Sequence, residues 1–598
     1  MADSMKEIAR EVEIAQGYWS VTACRRRFNW TYVLALSLVL TSGAAAQAPP
    51  LAAIPQPPAG SPIDRLTPRQ LPKVSPGGPV LSPIDEGEVP NVPIEVRRIE
   101  IEGATLFGAE LRVFIEKLAT PATPLTALDN ARREMLRVYR SRGYALTTVS
   151  LAIDQNSHLV RYTVTEGRIA AVKLDGDIGP AGSMVLRFLE HLTDYPAIDS
   201  ATLERYLLLA QDVPGVTLST VLEPSKDQPG ALILIAQVSL KHVSGQVSMD
   251  NRAFQLTGPM EFLGIADLNS VTAWGDKTEL SFFHTLPNSQ NFGQISSEWF
   301  IGSRGLRMRI YGGAGINNPT GSLAALKYNG FTDIFGTQLS YPVIRSRQQN
   351  LNLYAAFDGL ESTIYTGTPQ AQSSADEVRV LRLGGDYILS DLVLGNDRPA
   401  TNQVTVRLSQ GLDFFGGFHG TALPPSVARS REQHNFTAIK FEATRTQTLF
   451  VPWDGASVAL MALLTGQWTQ NILPPSEQFY LGGSRFTRGF YSGQAPGDKA
   501  LAATVELQLN STIDLSSLGT RADVASQFYL FYDWGQTWQN LSSDFATKLV
   551  SAGGGVRLQI TSYVELDLEA LGRYTLHPPP STSDLNGIGL YWRIVGRY

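Results

Sequence analysis

Apolar and polar residues alternate one by one along the C-terminal part of this chain, from His242 to Tyr598. Val564-Glu565-Leu566-Asp567-Leu568-Glu569-Ala570 puts three acids on one strand face and only aliphatic side chains on the other. Leu306-Arg307-Met308-Arg309-Ile310, Val404-Thr405-Val406-Arg407-Leu408 and Val505-Glu506-Leu507-Gln508-Leu509 repeat the pattern. One such strand decides nothing, because a soluble antiparallel sheet also has a wet face and a dry one. The run as a whole lacks helical periodicity, and its short turns interleave with longer glycine- and proline-rich loops. That combination predicts an all-β membrane barrel of antiparallel strands over residues 241–598. The 16 candidate strands begin near Val243, Met260, Thr278, Gln294, Leu306, Asp333, Leu351, Val378, Val404, Phe436, Val458, Ala502, Gln527, Leu549, Val564 and Gly587. Roughly 14 or 18 strands would fit the same alternation. In the last strand Ile588, Leu590, Trp592, Ile594, Gly596 and Tyr598 share one face and Arg593 and Arg597 the other. An apolar outside over a charged inside is a wet lumen set in lipid.

The preceding segments have other periods. Arg25-Arg26-Arg27, the apolar run Tyr32–Leu40 and Ala44-Ala45-Ala46 read as a secretory signal peptide over residues 1–46. Prolines recur through residues 47–93, so neither helix nor sheet propagates there and a linker is expected. Residues 94–168 then read as strand, helix, helix, strand, strand. Val96–Ile101 alternates, and Leu106–Leu118 and Leu125–Arg142 look helical. In the second helix Leu128, Ala131, Met135, Val138 and Tyr139 line one face. Leu146–Ile153 and Leu159–Val164 alternate again. Residues 169–240 repeat the order, with helices at Met184–Leu192 and after Asp199, a residue type that caps helix N-termini. Two small α+β domains in tandem are therefore expected before the barrel.

Composition narrows the function. Only 17% of residues are charged and the net charge is −6, which argues against nucleic acid as a partner. The single cysteine, Cys24, falls in the expected signal peptide, so no thiol chemistry or cysteine metal site is expected in the mature chain. A mean hydropathy of −0.06 is compatible with a membrane barrel, whose alternation hides its lipid-facing half.

One long loop stands out, residues 471–497, with Leu481-Gly482-Gly483-Ser484-Arg485-Phe486-Thr487-Arg488-Gly489-Phe490 at its centre. Its aromatics and arginines need something to pack against, so the loop is expected to fold back into the barrel. On a later strand, Phe531-Tyr532-Asp533-Trp534-Gly535, alternation turns Asp533 into the lumen together with Phe531.

These residues carry a family resemblance. Ile99-Glu100-Ile101-Glu102-Gly103, Gly143-Tyr144 and Thr165-Glu166-Gly167-Arg168-Ile169 resemble the marks of a POTRA domain. Leu203–Leu209 with Val213-Pro214-Gly215-Val216 resembles the second POTRA of the ShlB/FhaC type. Thr487-Arg488-Gly489-Phe490 with Phe531, Asp533 and Gly535 is similar to the paired motifs of two-partner secretion transporters (TpsB type, BamA-like superfamily). In that family an inward loop tip, Val or Ile followed by Arg-Gly-Phe or Arg-Gly-Tyr, meets the acid of an F-x-D-x-G strand. Here Thr487 replaces the usual Val or Ile, which puts an apolar contact in doubt but not the Arg488–Asp533 pair. Met249-Asp250-Asn251 resembles the family's first barrel strand, although Asp250 and Asn251 serve equally well as ordinary turn or lumen residues. Tyr341-Pro342-Val343-Ile344-Arg345-Ser346 resembles its sixth-strand turn, and terminal Tyr598 its C-terminal assembly signal.

The resemblance implies an outer-membrane pore whose periplasmic POTRA pair captures one large secreted exoprotein, TpsA-like, by strand addition. It also implies a monomer in outer-membrane lipid, placed there by the barrel-assembly machinery. The alternative is an assembly factor of the BamA/TamA kind, but those carry three or more POTRA domains. No nucleophile elbow, P-loop or metal-ligand spacing among the seven histidines is found, so no catalytic residue, metal or cofactor is expected.

Overall fold

The computed structural model describes residues 61–63, 87, 89–226, 228, 230–286, 288–414, 429, 431–514, 523–576 and 586–598. The expected signal peptide and most of the proline-rich stretch lie outside them.

The first α+β module is built from the strands Arg98–Glu102, Thr148–Asp154 and Leu159–Thr165 and the helix α1, Leu125–Ser141. Its sheet has the Leu159 strand in the middle, parallel to the first and antiparallel to the second. Leu128, Met135 and Tyr139 of α1 are fully buried against Val160 and Tyr162. The expected helix Leu106–Leu118 is shorter: an α-turn at Gly108–Leu111 continues as a 3₁₀ turn, Arg112–Phe114. Glu166 supplies a reason. Its carboxylate accepts the backbone N–H groups of Thr105 (2.9 Å) and Leu106 (3.1 Å) and the Tyr139 hydroxyl (2.5 Å), which fixes the chain ahead of the turn. Burial works against the Glu166 carboxylate, yet these bonds outweigh it and hold its pKa below the ordinary value. Gly103, at φ 78°, has no room for a side chain, since a Cβ would sit 2.2 Å from the Val164 carbonyl oxygen.

The second module repeats the plan with the strands Arg168–Asp175, Val216–Pro224 and Ala231–Leu240 and the helices α2, Ala181–Glu190, and α3, Ser200–Gln211. Asp199 caps α3 by accepting the Thr202 N–H at 2.9 Å.

Sixteen strands then close into a barrel among the described residues, each antiparallel to its neighbours. They are β1 Val243–Asp250, β2 Met260–Asn269, β3 Lys277–Leu286, β4 Gln290–Ile301, β5 Leu306–Asn317, β6 Asn329–Arg345, β7 Gln349–Thr366 and β8 Ala371–Asp391. The second half comprises β9 Ala400–Gly411, β10 Thr437–Phe450, β11 Ser457–Thr469, β12 Lys499–Asp514, β13 Asp523–Trp538, β14 Thr547–Gln559, β15 Val564–Leu576 and β16 Gly587–Arg597. Leu280, Phe282, Ile295, Leu383, Leu507, Leu530 and Leu590 stand exposed on the outside. Water would penalise such a belt, whereas lipid accepts it.

The seam closes through β16 and β1, from Arg593 opposite Asp250 to Arg597 opposite Gln246. Tyr598 extends it by exchanging two 3.0 Å backbone bonds with Gly245. At the other end the Asn251 side chain replaces a ladder partner: its amide donates to the Leu590 carbonyl and its oxygen accepts the Trp592 N–H, both at 3.0 Å.

The second module docks on the barrel turns. Arg345, just after the Tyr341-Pro342 pair, grips Asp212 with two bonds of 2.7 and 2.8 Å. Arg205 donates to the Pro342 carbonyl, and Phe188 meets Phe300 edge-on at 5.1 Å. The Val213-Pro214-Gly215 turn joins the same contact, for Ser270 Oγ donates to the Pro214 carbonyl at 2.7 Å. Part of the proline-rich stretch is seated too. Ser61 Oγ bonds Gln294 at 3.1 Å, and Ile63 is buried among Leu263, Phe283, Phe292 and Ile334 on the lumen wall.

Candidate functional site

The connection from β11 to β12 leaves at the end away from the modules and turns back into the lumen. Its neck is a two-stranded clip, Phe479–Leu481 paired with Ala495–Gly497. Gly482 follows at φ 97°, where a Cβ would lie 2.0 Å from the Tyr491 carbonyl oxygen, so only glycine fits. Phe479, Leu481, Phe486, Phe490 and Ala495 bury themselves against Ala500, Ala502 and Leu549 of the wall. This apolar packing, made inside a polar lumen, holds the tip against one side of the barrel.

Thr487 occupies the left-handed region at φ 51°, rare for a β-branched residue. Its hydroxyl accepts the Gly482 N–H at 2.9 Å and donates to the Phe486 carbonyl at 2.6 Å. A Val or Ile could make neither bond. The methyl group of Thr487 still reaches Gly535, where an added Cβ would come within 2.8 Å of it.

Arg488 is the centre of the arrangement. Its Nε donates to Asp533 Oδ2 at 3.1 Å and its Nη2 to Oδ1 at 3.2 Å, a bidentate grip. Its backbone N–H also donates to Asp533 Oδ2, at 2.8 Å. Nη1 reaches Glu506 on β12, and the guanidinium lies 3.8 Å from the centre of the Phe531 ring. Asp533 and Glu506 have no exposed side-chain surface, and Arg488 has 6%. Phe531, Asp533 and Gly535 thus act on the tip in three ways: stacking, charge and clearance. Gly489 passes its N–H to Ser551 Oγ (3.2 Å) and accepts the Tyr591 hydroxyl on its carbonyl (2.9 Å). A Cβ there would meet Ser551 Cβ at 2.5 Å.

A second guanidinium balances the second acid, since Arg557 donates to Glu506 Oε1 at 2.8 Å. Arg252 pairs with Glu569, and Tyr529 joins Glu569 to Asp567 with contacts of 2.8 Å. Desolvated charges of this kind persist only when every partner is present.

Of the sequence-derived candidates, Thr487, Arg488, Gly489, Phe490, Phe531, Asp533 and Gly535 meet in this one place. Asp250 and Asn251 do not, although their neighbour Arg252 takes part: its carbonyl accepts the Ser492 N–H at 2.9 Å. Tyr598 lies at the module end, with Lys241 Nζ 4.6 Å from its ring centre. Glu506 is the member of this arrangement that motif reading missed. It stood in the alternating run Val505-Glu506-Leu507, and the β12–β13 register sets it opposite Phe531.

The loop is tied across the lumen as well. Arg485 binds both oxygens of Glu442 on β10 at 2.7 and 2.9 Å, and Glu477 takes two bonds from Arg382 on β8. Beneath it lies a cavity of about 1860 Å³, bounded by Gly482–Phe486 above and by Asp212 and Arg345 at the module end.

Comparison with known proteins is consistent with this architecture. Residues 230–558 match the family model of the haemolysin secretion/activation protein ShlB/FhaC/HecB. The chain is 22% identical over 460 residues to the heme/hemopexin transporter protein HuxB of Haemophilus influenzae, covering 75% of this chain and 77% of that one. The structure of CdiB from Escherichia coli superposes with a TM-score of 0.65 at 17% identity, covering 86% of this chain and 93% of CdiB. CdiB from Acinetobacter baumannii gives 0.57 at 18% identity, with 92% and 95% covered.

Proposed function

The chain belongs to the ShlB/FhaC/HecB family of haemolysin secretion/activation proteins and is an outer-membrane pore for a partner exoprotein; from that premise we propose how the pore is held shut and how it takes its client. The loop 471–497 is its internal barrier, and Arg488 is the latch that keeps the loop on the wall. The observation that carries this is the buried bidentate bond from Arg488 to Asp533, shared with Glu506 inside an otherwise wet lumen.

The two POTRA modules take the client in the periplasm. Their sheets have outer strands, Thr148–Asp154 in the first and Val216–Pro224 in the second, that pair on one side only. Such edges offer free backbone donors and acceptors to an extended segment of an unfolded exoprotein. The client then passes through the barrel with no nucleotide-driven step. The assembly-factor reading is less favoured, since only two POTRA modules are present among the described residues.

Secretion of the partner exoprotein tests the latch. With Arg488→Ala the culture medium should lose that protein while the barrel stays in the outer-membrane fraction. Normal export by the variant would remove the latch from the mechanism. If many outer-membrane proteins declined together on deletion of the gene, the assembly reading would replace the secretion one.

A further inference from the structure

A second charged cluster lies apart from the latch, at the far end of β8. Asp376 occupies a lumen-facing position there and is 2% exposed. The described residues just before β10 come down onto it. Asp376 Oδ1 stands 3.2 Å from His434 Nε2, and Glu432 Oε1 stands 4.0 Å from the same nitrogen. The Glu432 side chain has no exposed surface, and His434 is 8% exposed. One oxygen of each carboxylate and the imidazole nitrogen all fall within 4.8 Å of one another. Val378, Phe436 and Leu473 form an apolar patch beside the cluster.

Two features separate this cluster from an ordinary histidine–aspartate pair. The first is its composition: two buried carboxylates face one imidazole. Arg429, three positions before Glu432, gives that residue only its backbone N–H, at 3.0 Å. Its guanidinium goes to Asp498, Asp544, Gln539 and the Leu473 carbonyl instead. The second is Asp376 Oδ2, which is buried without a hydrogen-bond partner. An orphaned carboxylate oxygen costs free energy that a cation would recover.

We propose that Asp376, Glu432 and His434 form a divalent transition-metal site of the zinc type, which clamps the segment before β10 onto β8 beside the pore mouth. One imidazole and two carboxylates are a zinc donor set, whereas Ca²⁺ takes six to eight oxygens. Donors on a tetrahedral zinc stand about 3.4 Å apart, given bonds of about 2.0–2.1 Å. The 3.2 Å pair already fits, whereas the 4.0 Å pair and the carboxylate–carboxylate pair, which lies within 4.8 Å, close on the ion as it binds. Three protein donors leave a fourth position for water.

The test uses the untagged full chain in detergent, stripped with a chelator and titrated calorimetrically with ZnCl₂ and, separately, CaCl₂. One saturable zinc site per chain is expected, with no calcium site. Asp376→Asn and His434→Gln should each weaken it by about 100-fold or more, beyond the 10–100-fold typical of outer partners. Heat-modifiable gel migration reports whether the variants are folded. Zinc-edge X-ray absorption of the loaded wild-type chain needs no variant and should show one imidazole among oxygen neighbours. Trypsin cleavage after the exposed Arg431 should slow when zinc is added to the wild type but not to His434→Gln. Absence of saturable zinc binding, undiminished binding in His434→Gln, or a preference for calcium overturns the site. Stoichiometric zinc without slower cleavage overturns the clamp.

Discussion

Two arginine–carboxylate joints hold other parts of the chain to this barrel, and they differ in how dry they are. Arg488–Asp533 fixes the inward loop to β13 with 6% and 0% side-chain exposure, under the face of Phe531. Arg345–Asp212 fixes the second POTRA module to the β6–β7 turn with 8% and 18%, and Arg307 approaches the same acid at 3.5 Å. Both joints are bidentate. Only the first would strand a fully desolvated carboxylate if its arginine were removed, because water can reach Asp212 and a second cation stands nearby. Breaking the first joint should therefore cost more than breaking the second, where water and Arg307 can take over part of the contact.

The sharpest way to break the contrast is to truncate the latch. Arg488→Ala should destabilise the seated loop by about 3–5 kcal/mol, since it leaves the buried Asp533 carboxylate without a countercharge, and Asp533→Ala should cost less because Arg488 keeps Glu506. Protease cleavage within residues 484–493 should then become fast in intact outer membranes, and unchanged protection would contradict the assigned burial. A smaller effect is expected from Gly535→Ala, whose new methyl group must push Thr487 and Leu481 aside, at about 1–3 kcal/mol of overpacking. The same cleavage assay reads it. Asp212→Ala removes a joint that solvent can partly replace, so about 1–3 kcal/mol is expected at the module contact. It should raise cleavage between module and barrel but leave the loop protected; exposure of both would show that the two joints are coupled.

Thr487→Val tests the hydroxyl. It deletes two bonds, one from the Gly482 N–H and one to the Phe486 carbonyl, but those two groups also bond each other at 3.1 Å, so about 0.5–1 kcal/mol is expected. A more stable loop in that variant would show that the hydroxyl is a burden there. The smallest effect concerns the first POTRA module, which touches neither joint. The depressed pKa of Glu166 means that its contribution is present above the unfolded value of 4.5 and fades as pH falls below it. Urea midpoints measured across that window should drop for the wild type and stay flatter for Glu166→Gln.

Particular residues show where sequence reading succeeds and where it stops. Val243, Met260, Leu306, Val564 and Gly587 begin strands where alternation placed them, because each lies where one side meets lipid and the other water. β8 begins at Ala371, seven positions before the expected Val378. Its opening Ala-Gln-Ser-Ser carries no apolar face, and a strand rising beyond the membrane has water on both sides and nothing to alternate. The helix expected at Leu106–Leu118 failed for a long-range reason, the grip of Glu166 on Thr105 and Leu106 from some 60 positions away.

The sequence by itself determined the antiparallel membrane barrel, the two tandem α+β modules and, through a family resemblance, Arg488 and Asp533 as candidate partners. Closure of the sheet fixed the count at sixteen strands among the described residues. Periodicity is a local property, and a glycine in a motif marks a place of close approach even where the group approached, Ser551 for Gly489 and Thr487 for Gly535, lies elsewhere in the chain. Only the tertiary structure decided that Glu506 shares the Arg488 guanidinium, that Asp212 meets Arg345, and that Asp376 faces Glu432 and His434. Those meetings depend on strand register and on how loops fold back over the lumen. Both are set by closure of the whole sheet, which no local pattern of side chains encodes.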